Sequence, residues 1–121
     1  MMTPGFVFDE GSLRYALGAP GGTRIVTGVL QTLLNLVDHG MSPEEAVSAP
    51  RVDYQGETVQ TEHRIPSDII EAIRTAGYQV TRRPLSYDGY FSRVQLIETD
   101  PSGTLRGASD PRKDGGIALA T

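Results

Sequence analysis

Between Ser12 and Asp38 the spacing of apolar residues changes period once, and that change limits the possible folds more than any other feature of the chain. On the near side Leu13, Tyr15 and Leu17 alternate, which is the two-residue period of a strand with one covered face. On the far side Val26, Val29, Leu30, Leu33, Leu34 and Val37 recur at helical spacing. Between them lies Gly18-Ala19-Pro20-Gly21-Gly22-Thr23. A strand must therefore run into a long helix through a loop that carries almost no side chains.

The remaining elements follow from local signals. Phe6-Val7-Phe8 pairs with the Leu13–Leu17 strand across Asp9-Glu10-Gly11-Ser12 as a hairpin. His39-Gly40 ends the long helix, with a histidine suited to the negative end of the helix dipole. Ser42-Pro43-Glu44-Glu45 is a capping box opening a short helix, which Pro50 stops. Short strands are expected at Arg51–Tyr54 and Thr58–Thr61, and a third helix from Pro66-Ser67-Asp68 to Ala76, closed by Gly77. Strands follow at Tyr78–Thr81, Ser92–Glu98 and Thr104–Ala108, the last two joined by the turn Asp100-Pro101-Ser102-Gly103. No linker or repeat divides the chain, so residues 1–121 read as a single α+β domain, a mainly antiparallel sheet packed with helices.

Charge and composition remove several function classes. A net charge of -4, with 11 basic residues scattered apart from Arg82-Arg83 and Arg112-Lys113, gives no cationic field for nucleic acid. The absence of cysteine excludes disulfides, thiolate metal sites and a cysteine nucleophile. His39 and His63 have no metal-ligand partner at useful spacing, and no phosphate-cradling P-loop is present, so no cofactor or metal is expected. No segment reaches the ~18 apolar residues of a membrane span, and the N-terminus lacks a basic region followed by an apolar core. The expectation is no membrane partner and, as encoded, a cytoplasmic chain.

The strongest candidate for chemistry is Pro20-Gly21-Gly22-Thr23. A glycine pair between a strand and a helix start can aim backbone N–H groups at an anion without a side chain in the way. In acyl transfer such donors stabilise a tetrahedral oxyanion. The same residues also suit a plain tight turn, and local sequence leaves both readings open. Asp110 and Arg112 read as a turn with a surface ion pair, and Glu44 and Glu45 as helix-capping residues.

Taken together, Gly18-Ala19-Pro20-Gly21-Gly22-Thr23-Arg24-Ile25, Leu30-Gln31, Asp38-His39-Gly40-Met41, Glu45-Ala46, Ala49-Pro50-Arg51 and Gly107-Ala108-Ser109-Asp110-Pro111-Arg112 resemble the closing part of the small subunit of gamma-glutamyltranspeptidases. The resemblance keeps order and approximate spacing from Met2 to near the C-terminus. It implies part of the αββα fold of N-terminal nucleophile hydrolases. In that family a precursor cleaves itself, and the threonine at the new N-terminus attacks gamma-glutamyl amides such as glutathione, with its own α-amino group as base. Only Gly21 and Gly22 carry over, matching the glycine pair whose backbone forms the family's oxyanion hole. The attacking threonine belongs before the region matched by Met2-Thr3-Pro4, as does a serine pair that holds the substrate's α-carboxylate. Gly5 stands where the family commonly has threonine, and Ser92 where a glycine often precedes the strand containing Gln95. The expectation is that the isolated chain is inactive and meets a gamma-glutamyl substrate only when an upstream segment completes it. The alternatives are a non-catalytic module that self-associates as a homo-oligomer, and part of a related amide acylase.

Overall fold

A computed structural model describes residues 2–120. The hairpin expected at the start is β1 (Gly5–Asp9) and β2 (Ser12–Gly18), paired antiparallel with Val7 opposite Tyr15. β2 runs into α1 (Arg24–Val37) as the change of period requires, and α2 (Pro43–Ser48) follows. The capping box at α2 forms in full: the Glu45 amide donates to Ser42 Oγ at 3.2 Å, and the Ser42 amide to Glu45 Oε2 at 2.9 Å. Then come β3 (Val52–Tyr54), β4 (Val59–Thr61), α3 (Ser67–Thr75), β5 (Val80–Arg82), β6 (Gln95–Thr99) and β7 (Leu105–Ser109).

The α+β class and the mainly antiparallel pairing hold, and the strands divide between two sheets. β1, β2, β6 and β7 form a four-stranded antiparallel sheet in the order β1-β2-β6-β7. β3, β4 and β5 form a smaller one, in which β5 runs parallel to β4 because α3 carries the chain back between them. Two strands start more than one residue away from the sequence expectation. β5 begins at Val80, two residues after Tyr78. β6 begins at Gln95, not Ser92, because the preceding backbone is diverted: the Ser92 carbonyl accepts from the Arg51 guanidinium, and the Val94 amide donates to Asp110 Oδ2 at 2.9 Å.

The core lies between the larger sheet and the helices. Tyr15, Leu17, Leu96 and Ala108 face inward from the sheet and meet Ile25, Val29 and Leu36 of α1 and Ala46 and Val47 of α2. α1 comes unusually close to the start of β6. A Cβ on Gly28 would lie 1.9 Å from Ser92 Oγ, so only glycine lets the helix settle there. The opposite face of the sheet is covered only in part, by the C-terminal tail, where Ile117 lies 3.1 Å from the place a Gly107 Cβ would take. Phe6, Ala16, Ile97 and Gly107 form one register row across its four strands, and Phe6 and Ile97 are 64% and 51% exposed.

Candidate active site

The Pro20–Thr23 loop stands where the change of period put it, at the head of α1. Pro20 bridges Met2 in antiparallel fashion. Gly21 has φ 133°, a region that L side chains rarely adopt. Gly22 differs. A Cβ at Gly22 would meet nothing within 4 Å, and among the described residues its amide donates to no backbone oxygen. Thr23 takes the N-cap position in helical conformation without a side-chain capping bond, so the helix end keeps unpaired donors. Its first turn holds no acidic residue.

This loop forms one wall of a cleft of about 320 Å³, and Gly89–Arg93 forms the other. Tyr90 dominates the second wall. The Arg24 guanidinium lies 3.6 Å from its ring centroid and that of Arg83 4.3 Å, while Phe91 packs edge-on at 5.1 Å. Tyr90 is fixed from behind as well. Its amide donates to Asp88 Oδ1 at 2.9 Å, and its hydroxyl reaches Asp53 Oδ2 at 3.4 Å. Burial works to raise the Asp88 pKa, but hydrogen bonds from Arg83 and the Tyr90 amide outweigh it and hold the carboxyl below its usual value. Thr23 and Ser92 carry the aliphatic hydroxyls of the lining, and no histidine, lysine or carboxylate lines the cleft to activate either. Three depressions are larger: those of about 440 Å³ over the outer sheet face and 460 Å³ between β3 and α3 carry no charged side chain in their linings, and one of about 420 Å³ is lined by Asp9, Glu10, Arg14 and Asp100.

Asp110 and Arg112, expected as an exposed turn, are buried instead, at 1% and 6% exposure. Arg112 pairs with Glu62 through Nε at 2.6 Å and NH2 at 2.8 Å, and with Asp110 through NH1 at 3.0 Å. Asp110 also holds Arg51 NH1 at 2.9 Å. Arg112 closes the network onto the Val47 and Ala49 carbonyls at 2.8 and 2.7 Å. Burial, then the neighbouring Arg112 charge, pull the Arg51 pKa down to about 10 against the attraction of Asp110. Burial opposes the Arg112 charge too, but Glu62 and Asp110 prevail and raise its pKa. Glu62 also accepts the Asp88 amide at 3.1 Å, which ties this network to the wall of the cleft. The pairing of Glu62 and Arg51 escaped the sequence reading because their partners are remote in the chain. Ser92 was left without a role there, and the structure sets it in the cleft wall against α1.

His39 and His63 are exposed and stand outside the cleft. Among the described residues no group of three His, Asp or Glu side chains is placed to hold a metal, and no helix is long and apolar enough to cross a membrane.

Helices layered on an antiparallel sheet, with a strand–loop–helix junction opening a polar cleft, place the fold among the N-terminal nucleophile hydrolases, the class of its solved neighbours. The chain belongs to the gamma-glutamyltranspeptidase family, whose model matches residues 1–120. The acylase ACY 1 proenzyme of Pseudomonas sp. (strain V22) is 41% identical over 94% of this chain and 20% of that protein. The glutathione hydrolase proenzyme of Escherichia coli (strain K12) is 34% identical over 92% of this chain and 19% of that protein. Among solved structures, cephalosporin acylase from Bacillus halodurans superposes with TM-score 0.87 at 34% identity, covering 95% of this chain and 22% of that one. The chain thus spans about a fifth of the curated relatives it matches.

Proposed function

We propose that this chain supplies the oxyanion-stabilising half of an amide-cleaving, gamma-glutamyl-transferring active site, with the threonine nucleophile contributed by a preceding segment. The observation that carries this reading is the Gly22 amide, which is unpaired among the described residues at the helix N-terminus and opens on a cleft that no side chain blocks. Gly21 shapes the loop through its backbone conformation, and Gly22 is the donor. Since neither aliphatic hydroxyl of the cleft has a base beside it, the 121 residues alone turn over no substrate.

A second reading is favoured by one observation. The 41% identity to an acylase exceeds the 34% to a glutathione hydrolase, which supports an acyl group other than gamma-glutamyl. One experiment addresses both. The chain is joined behind the threonine-led segment that precedes the matched region in a family member, and release of nitroaniline from gamma-glutamyl and glutaryl nitroanilides is followed. Release of either that falls about 100-fold in Gly22→Val supports the oxyanion role, and the preferred anilide identifies the acyl group. A joined protein that is active and indifferent to Gly22→Val contradicts the role of the loop.

A further inference from the structure

An oxyanion donor has to be held still, and the loop that carries Gly22 supplies little of that hold itself. Thr23 gives no side-chain cap, and a Cβ at Gly22 would touch nothing within 4 Å. On the core side Ile25 anchors the turn: it is fully buried, and its amide donates to the Gly22 carbonyl at 3.2 Å. On the cleft side the tie is Arg24, exposed at the first position of α1. Its guanidinium lies 3.6 Å from the Tyr90 ring centroid, and its NH1 donates to the Tyr90 carbonyl at 3.3 Å. One side chain thus spans the cleft from the loop to the opposite wall.

Tyr90 can serve as an anchor because it is itself tied to the body of the protein. Its amide donates to Asp88, which pairs with Arg83 at 2.7 Å and donates its own amide to the buried Glu62 at 3.1 Å. Its hydroxyl lies 3.4 Å from Asp53 Oδ2, and Asp53 Oδ1 accepts from Thr27 Oγ1 of α1 at 2.6 Å. Gln31 fixes β3 to the same helix through the Val52 amide and carbonyl, at 3.0 and 2.8 Å. With Arg24 and Arg83 against its ring and Phe91 at its edge, Tyr90 is engaged by the protein's own side chains and frames the cleft.

We infer that Tyr90 is a positioning residue, which through Arg24 fixes the head of α1 and with it the direction of the Gly22 amide, resting on the reading that Gly22 stabilises the oxyanion. Such a donor works by being aimed before charge develops. Freedom in the loop therefore lowers the rate and leaves substrate affinity alone.

The first test needs no turnover. Amide nitrogen relaxation of the 121-residue chain gives an order parameter for Gly22. It should be about 0.85, the value of rigid backbone, in the parent and in Tyr90→Phe, which keeps the ring. It should fall below about 0.6 in Tyr90→Leu and in Arg24→Gln, with core amides unchanged. Because Arg24 is exposed, Arg24→Gln cuts the tie without disturbing the core. The second test uses the protein joined behind a threonine-led segment. There Tyr90→Leu and Arg24→Gln should each lower kcat about tenfold with KM unchanged, while Tyr90→Phe keeps most of the activity. Arg24→Gln added to Gly22→Val should cost nothing further, since both act through one donor. Failure of the oxyanion reading shows separately, as an active joined protein indifferent to Gly22→Val. A Gly22 order parameter already low in the parent, one unchanged in both Tyr90→Leu and Arg24→Gln, or a rise in KM at constant kcat overturns the positioning role.

Discussion

Arg112 and Glu62 lie 50 positions apart, yet each satisfies most of the other's charge inside the protein. A window of sequence shows Asp110-Pro111-Arg112 as a turn and gives no sign of a carboxylate arriving from β4, so this part of the molecule was not legible beforehand. Removing one member of a buried ion pair leaves the other unpaired. We therefore expect Arg112→Ala to cost about 3–5 kcal/mol in urea unfolding, far more than an exposed pair would. Asp88 gives the network a pH dependence. Its folded pKa lies below the ordinary 3.8, so its contribution is complete above that value and is lost as pH falls through the lower, folded one. Unfolding followed from pH 5 to pH 2 should accordingly show a loss of stability that Asp88→Asn removes in part. Gly28 was likewise unreadable as a contact residue, because it sits in a helix where glycine has no local reason to be. Gly28→Ala should destabilise by about 1 kcal/mol, and Ser92→Gly in the same chain should restore most of that by clearing the hydroxyl.

At the scale of elements, sequence reads best where one segment answers to its own residues. The hairpin, the capping box of α2 and the length of α1 were all visible, since period and caps are local properties. The division into two sheets was not, because it depends on which strand β5 finds after α3 turns the chain. The same limit applies to apolar faces. Val26, Leu30, Leu34 and Val37 belong to the helical pattern of α1, yet they are exposed on its outer side, while Ile25, Val29 and Leu36 are buried. With Phe6, Phe8, Ile97 and Leu105 open on the larger sheet, two apolar surfaces are left largely exposed. In the αββα arrangement of the family the sheet face is where a second sheet belongs. The isolated chain should therefore self-associate through this face, or bind the segment that completes it. Sedimentation across a wide concentration range tests this, with Phe6→Ser and Ile97→Ser expected to shift the species toward monomer. A strictly monomeric chain that ignores an added upstream segment would count against the idea.

At the scale of the whole molecule, the cleft assembles from pieces legible to very different degrees. The Pro20–Thr23 loop could be found from the change in apolar period alone, and its place at the head of α1 follows from that. The opposing wall could not, because Gly89–Arg93 looks like an ordinary loop until Asp88, Asp53 and Arg83 are seen to pin Tyr90 in place. Among the described residues, the Gly22 amide without a backbone acceptor and the cleft beside it come together with no histidine, lysine or carboxylate in the lining, in a chain that spans about a fifth of its curated relatives. The most direct measurement compares nitroaniline release from a gamma-glutamyl nitroanilide by the chain alone, by its Gly22→Val variant, and by the chain joined behind a threonine-led family segment. The account predicts release by the joined protein only, with the chain alone indistinguishable from its Gly22→Val variant. Turnover by the 121 residues alone, abolished by Gly22→Val, would contradict it and require a nucleophile within the chain itself.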